Sequence, residues 1–317
     1  MAISDHLQEF HGLPVFEFPD IARKVTLPPP ETVAWRIAIE PYGDSAETWP
    51  EAFARFLETV DSTQVRALVI GSWGESDEDS APIIAALIEA KDRLRALRGI
   101  FLGDITYEEN EISWIHQSDV SPLLASFPEL EEFGVRGGEQ LAFPALTHTA
   151  LRNLSVQAGG LGAEVVQGVG ASELPALETL DIWLGVSWYG GTATVADLEP
   201  ILSGAKFPRL THLALRNSEI QDEIAAAVAG APVVARLTTL DLSMGTLGNE
   251  GAEALLAGQP LTHLRKLDLH HHFIGPEMQK RLIAALEPAG VVLDLSDAEV
   301  EDEAEDPEDR RYTAVSE

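Results

Sequence analysis

Residues 240–256 read Leu-Asp-Leu-Ser-Met-Gly-Thr-Leu-Gly-Asn-Glu-Gly-Ala-Glu-Ala-Leu-Leu. The stretch changes period halfway. Leu240 and Leu242 alternate with Asp241 and Ser243, the pattern of a strand with one buried face. After Gly248, residues Ala252, Leu255 and Leu256 fall at i, i+3 and i+4, the stripe of an amphipathic helix. One strand–helix unit of this size cannot bury its own apolar stripe, so it requires neighbours of the same kind.

Those neighbours are present. The spacing LxxLxL recurs at Leu97-Ile100-Leu102, Leu151-Leu154-Val156, Leu177-Leu180-Ile182, Leu210-Leu213-Leu215, Leu237-Leu240-Leu242 and Leu264-Leu267-Leu269. Weaker copies stand at Val65-Leu68-Ile70 and Leu130-Phe133-Val135, and degenerate ones at Ala34-Ile37-Ile39 and near Leu293-Leu295. Helical stripes follow the strands, as at Ile224-Ala227-Val228 and Met278-Leu282-Ala285. Stacked copies predict an α/β solenoid, a right-handed horseshoe with a parallel concave sheet and convex helices. The helices supply the crossovers that parallel strands need.

The repeats, and residues 240–256 above all, resemble leucine-rich repeats of the ribonuclease-inhibitor type over roughly residues 34–296. The segments SDHLQEFHGLPVFEF near the start and SWIHQSDVSPLL at 113–124 are similar to an uncharacterised bacterial, cytoplasmic leucine-rich-repeat family. That resemblance implies a cytoplasmic location and carries no catalytic residue. In one respect the chain departs from the type. Where an asparagine often follows the last leucine by three residues, it has Trp73, Gly138, Gly159, Gly185, Ser218, Gly245 and His272. Its turns must satisfy their backbone groups in another way.

Three domains are expected: an N-terminal cap over 1–33, the solenoid over 34–296, and an acidic, disordered tail over 297–317. Composition bounds the partners. The 317 residues include 52 acids against 21 Lys and Arg, a net charge of −31. Phosphate recognition depends on basic side chains, so neither nucleic acid nor an anionic membrane is expected. Opposite charge steers encounter, so a protein or peptide partner with a basic patch fits. The absence of cysteine excludes disulfides, thiolate metal sites and a cysteine nucleophile. The first residues carry neither a basic n-region nor an apolar h-region and are not expected to be a secretory signal.

Repeat length locates the candidate site. Plain repeats run 26 or 27 residues, but those starting at 65, 97 and 177 are longer. Their surplus falls in 71–80, 103–119 and 183–194, each after the carboxyl end of a strand and hence on one edge of the stack. Four of the six tryptophans lie there. Insertions in solenoids map to one face, often the binding face, and exposed aromatics anchor partners. The candidate rim is Trp73, Asp77, Tyr107, Trp114, His116, Trp183, Trp188 and Tyr189, with Arg216 and Asp241 on the concave face. Loops that fold back would instead lay their tryptophans over repeat junctions. A small-molecule or metal-binding enzyme pocket under the loops is the alternative.

Other chemistry finds little support. His270-His271-His272 lies near Asp268, but alternation puts only His270 and His272 on one face. There is no HExxH, GxxxxGK[ST] or GxSxG. Ala158-Gly159-Gly160-Leu161-Gly162-Ala163 fails the dinucleotide spacing G-x-G-x-x-G. The chain is therefore expected to be a non-enzymatic binding scaffold with no cofactor and no resident metal.

Overall fold

The computed structural model describes residues 3–23, 25–40, 47–301 and 311–317. Among them, twelve strands form one sheet in strict chain order. β1 (Glu9–Phe10) turns back antiparallel on β2 (Leu13–Glu17). From β2 onward each strand pairs in parallel with the next: β3 (Ala34–Ile37), β4 (Ala67–Ile70), β5 (Gly99–Leu102), β6 (Glu132–Arg136), β7 (Asn153–Gln157), β8 (Thr179–Gly185), β9 (His212–Ser218), β10 (Thr239–Asp241), β11 (Lys266–Asp268) and β12 (Val292–Asp294).

Among the described residues, eight α-helices cross between the strands: α1 (Trp49–Thr59), α2 (Ala81–Glu89), α3 (Ser121–Ser126), α4 (Ala163–Ala171), α5 (Val195–Ser203), α6 (Gln221–Val228), α7 (Asn249–Ala257) and α8 (Pro276–Leu286). The crossover from β6 to β7 belongs to the shortest repeat and has no α-helix. Buried Leu141, Phe143 and Leu151 close the core there instead. The inner positions of successive strands, among them Leu154, Leu180, Leu213, Leu240 and Leu267, stack in one continuous core. This is the expected α/β solenoid.

The first repeat sits two residues away from its expected register. Trp35, not Ile37, pairs with Leu68, and Arg36, not Ala38, faces out beside Val69. Trp35 is fully buried; its indole N–H donates to Pro30 O at 3.0 Å, and its ring meets Phe16, Phe18 and Phe56 edge-on. An aromatic in the leucine position hides the repeat from a leucine-spacing template. The sheet also begins inside the expected cap, because Phe16 on β2 pairs with Trp35.

The N-terminal residues fold over the concave face. Phe10 packs against Phe101, Ala34, Ala67 and Val69 on outward-facing positions of β3 to β5. Small side chains there leave room for it: a methyl group at Gly99 would collide with the Phe10 ring. Just beyond, Asp104 is completely buried between two guanidinium groups. Arg36 Nε donates to it at 2.8 Å, and Arg136 lies at 3.6 Å. The Leu7 amide donates to the same carboxylate at 3.1 Å and His6 approaches at 3.4 Å. No helix among the described residues is long and apolar enough to cross a membrane.

Candidate binding site at the loop edge

The three lengthened loops lie on one edge and touch. His116 Nδ1 bonds the Ser76 carbonyl at 3.0 Å, joining the second loop to the first. Trp114 meets Tyr189 edge to face at 6.4 Å, joining the second to the third. Asp77 is exposed on the first loop, and Tyr107 is 45% exposed on the second. Trp114 and Trp188 reach solvent at 53% and 86% exposure.

Two of the four expected tryptophans do not form part of the surface. Trp73 is 6% exposed, packs into the main core and donates its indole N–H to Glu78 O within its own loop. Trp183 is 7% exposed and packs with Ile112, Met244, Ala314 and Val315. The lip is therefore built from Trp114, Trp188, Tyr107 and Tyr189, with Trp73 and Trp183 beneath it. Trp73 follows β4 by three residues, in a buried run with Gly71 and Ser72.

The space where the first two loops meet, lined by Trp73, Ile105 and His116, is only about 10 Å³. That is roughly the space of one water, far from the several hundred Å³ of a small-molecule pocket. By contrast, a cleft of about 710 Å³ runs beside the third loop, lined in part by Trp188, Glu219, Asp222, Glu223, Glu301 and Arg311.

On the concave side Arg216 binds Asp181 through two bonds of 3.0 and 2.8 Å, lies 3.4 Å from Asp241 and stacks over the Trp183 ring. Asp241 is 7% exposed. Its Oδ1 accepts from the Ser243 amide at 3.0 Å and hydroxyl at 2.5 Å. Asp294 accepts in the same way from Ser296, and Asp268 from His270. These aspartates close the turns, in place of an asparagine ladder. Burial raises the Asp241 carboxyl despite Arg216 and the Ser243 bonds. Asp268 is also pushed up by burial, but bonds from His270 and Lys266 overcome that and hold it well below the carboxylate range.

Asp268, His270 and Asp294 bring possible metal-ligand atoms within 4.8 Å of one another. Lys266 Nζ lies 2.7 Å from Asp268 and 3.9 Å from Asp294, so an ammonium already offsets both carboxylates. Of the triplet, His271 and His272 are buried and bond main-chain groups: His271 Nε2 the Tyr312 carbonyl, His272 Nε2 the Leu295 carbonyl.

Sequence reading missed the chain's own end. Within the tail expected to be disordered, residues 311–317 pack on the loop edge. Ala314 and Val315 are buried, and Arg311 donates to Asp222 at 2.9 Å. The ordering has a local cause: Arg311 and the run Thr-Ala-Val interrupt the acidic block, giving a cation and apolar surface to bury. Residues 302–310, the most acidic part of that tail, lie outside the described residues.

Residues 237–256 match the family model described as Leucine Rich repeat. A solved crystal structure of a Bacteroides fragilis protein is similar over 89% of this chain and 78% of its own length, at 28% identity and a TM-score of 0.80. No curated protein matches the chain. Sheet order, repeat spacing and both similarities agree that the molecule is a leucine-rich-repeat solenoid.

Proposed function

We propose that this chain is a non-enzymatic scaffold that captures a protein or peptide carrying a basic patch, through the lip formed by the three long loops. Leucine-rich-repeat domains generally mediate protein–protein binding. The observation that carries the finer reading is exposed Trp188 lining a cleft with Glu219, Asp222, Glu223 and Glu301, where Arg311 already pairs with Asp222 and Glu301, while exposed Trp114 packs on the neighbouring Tyr189. Flat aromatic surface supplies binding energy at little entropic cost, while the acids, within a chain of charge −31, steer a cation toward it. Asp77 and Tyr107 widen the lip. Arg216 and Asp241 stiffen the strand ends behind it through their mutual pairing.

Selection of random displayed peptides on the purified chain tests this. Enriched sequences are expected to be rich in Lys and Arg and to elute at high salt, since exposed charge pairs are screened. Trp114→Ala and Trp188→Ala are each expected to weaken the selected peptides by about 2 kcal/mol, roughly 30-fold. Both rings are exposed, so stability should change by no more than about 0.5 kcal/mol. Enrichment of acidic or purely apolar sequences, or binding indifferent to both substitutions, would exclude the lip as the contact surface.

A further inference from the structure

Residues 311–317 lie across the loop edge like a ligand. Arg311 donates to Asp222 at 2.9 Å and to Thr246 O at 3.2 Å. The Tyr312 carbonyl accepts from His271 Nε2 at 3.0 Å, and its ring packs edge-on against His271 and Phe273. The Ala314 amide donates to Met244 O at 2.8 Å. Asn217 holds both main-chain groups of Val315, accepting from its amide at 3.0 Å and donating to its carbonyl at 2.6 Å. Ser113, from the second long loop, donates to Ser316 O at 2.5 Å.

Three of these partners are one structural position, repeated. Asn217 near the end of β9, Met244 after β10 and His271 after β11 each stand three residues past the paired positions Ala214, Asp241 and Asp268, and all three have left-handed backbones, with φ of 54°, 66° and 52°. That conformation is uncommon for residues other than glycine, and rare enough here that its recurrence marks a built feature. The three turns form a ladder whose rungs meet Val315, Ala314 and Tyr312 in order. Glycines clear the way: a methyl group at Gly159 would collide with Ser316 O and Ser113, and one at Gly248 with the Arg311 guanidinium. Gly159, one of the glycines that superficially suggest a nucleotide loop, thus has a different use.

Recognition is directed largely at the main chain of the segment, so the groove accepts any extended peptide with suitable side chains at a few places. Those places are a cation at Asp222, an aromatic ring at His271 and Phe273, and a small residue followed by a branched aliphatic one against Trp183, Met244 and Ile112. The resident segment fits imperfectly. The buried Trp183 indole N–H has no hydrogen-bond partner among the described residues, a desolvated donor that another occupant can satisfy. We infer that this ladder is a peptide-recognition groove, that residues 311–317 occupy it in cis, and that an extended partner peptide of the pattern basic–aromatic–any–small–branched aliphatic displaces them. The inference rests on the loop edge being the binding face and gives that face a ligand class and a built-in competitor.

The test keeps the whole chain. A protease site is placed within 302–310 and cut, leaving the segment held without a covalent tether, and a fluorescent peptide of residues 311–317 is added. The peptide is expected to bind the cut chain. Binding to the uncut chain should be at least tenfold weaker, because a tethered competitor acts at millimolar effective concentration. Asn217→Gly keeps the left-handed backbone but removes the amide clamp, and should weaken binding to the cut chain at least tenfold. A scrambled peptide should not compete. Three outcomes overturn the inference: a cut chain that unfolds, making the segment a strut; one that keeps its fragment and admits no peptide; and one that loses its fragment yet binds nothing. In each case the effect of Trp188→Ala on selected basic peptides remains a separate reading of the lip.

Discussion

Replacing Asp104 with Ala is expected to destabilise the chain by about 3–5 kcal/mol, read as a fall in the urea midpoint at unchanged slope. The substitution leaves two buried cations with too few anions. Arg36 and Arg136 are 3% and 4% exposed, and Asp104 is the acid they share. Arg36 keeps Glu17 at 3.1 Å and Glu109 at 3.6 Å, which places its share of the loss toward the lower bound. The Leu7 amide also loses its acceptor, so the N-terminal segment should come off the concave face and become sensitive to protease. A loss below about 1 kcal/mol would mean that water reaches the cluster.

The same cluster sets a pH dependence from both sides. Burial pushes the Asp104 carboxyl up, but the His6 bond, Arg36 and Arg136 together outweigh it and leave it lowered. A lowered carboxyl contributes stability that is complete above its unfolded value near 4, and that fades as pH falls through the folded value. His6 is raised, chiefly by its bond to Asp104 and against burial and Arg36, with Glu109 adding to the rise. Its contribution is complete below about 6.5 and is lost as pH climbs through the raised value. Cleavage of the N-terminal segment should therefore increase on the alkaline side in the native chain and respond less in His6→Asn.

Trp35→Ala is expected to cost about 3–5 kcal/mol as well, for a different reason. It empties a fully buried site and removes three edge-to-face contacts and the bond to Pro30. Solenoid stability is close to a sum of nearest-neighbour terms, so the damage should stay local. Hydrogen exchange is expected to accelerate through β2 to β4 while β9 to β11 remain protected. Uniform acceleration through all strands would show that the stack unfolds as one unit. Trp35→Phe, which retains a ring, should recover much of the loss.

What the sequence revealed follows physical range. Leu240, Leu242 and Leu255 declare a strand and a helix because their partners lie at fixed short spacings. Loop insertions declare themselves as surplus length between such marks, so the placing of 71–80, 103–119 and 183–194 on one edge was legible. The exposure of each tryptophan was not, since Trp73 and Trp188 differ only in what later coils lay over them. The register of the first strand was hidden because Trp35 and Arg36 stand where an aliphatic and a neutral residue were sought. The docked ends were invisible for another reason. Asn217 and Val315, or Leu7 and Asp104, meet across about a hundred residues with no period to announce them.

The missing helix between β6 and β7 has a mechanical meaning. The convex layer is split there into two blocks, α1 to α3 and α4 to α8, tied by the sheet and by Leu141, Phe143 and Leu151. At that seam the sheet and these three side chains join the blocks, much as neighbouring vertebrae meet where a process is lacking. Both docked ends hold the loop that follows β5 instead: the Tyr107 amide donates to Ile3 O, and Ser113 donates to Ser316 O. That one loop is therefore clasped by both ends of the described fold, and a partner that pried either loose would free it on that side.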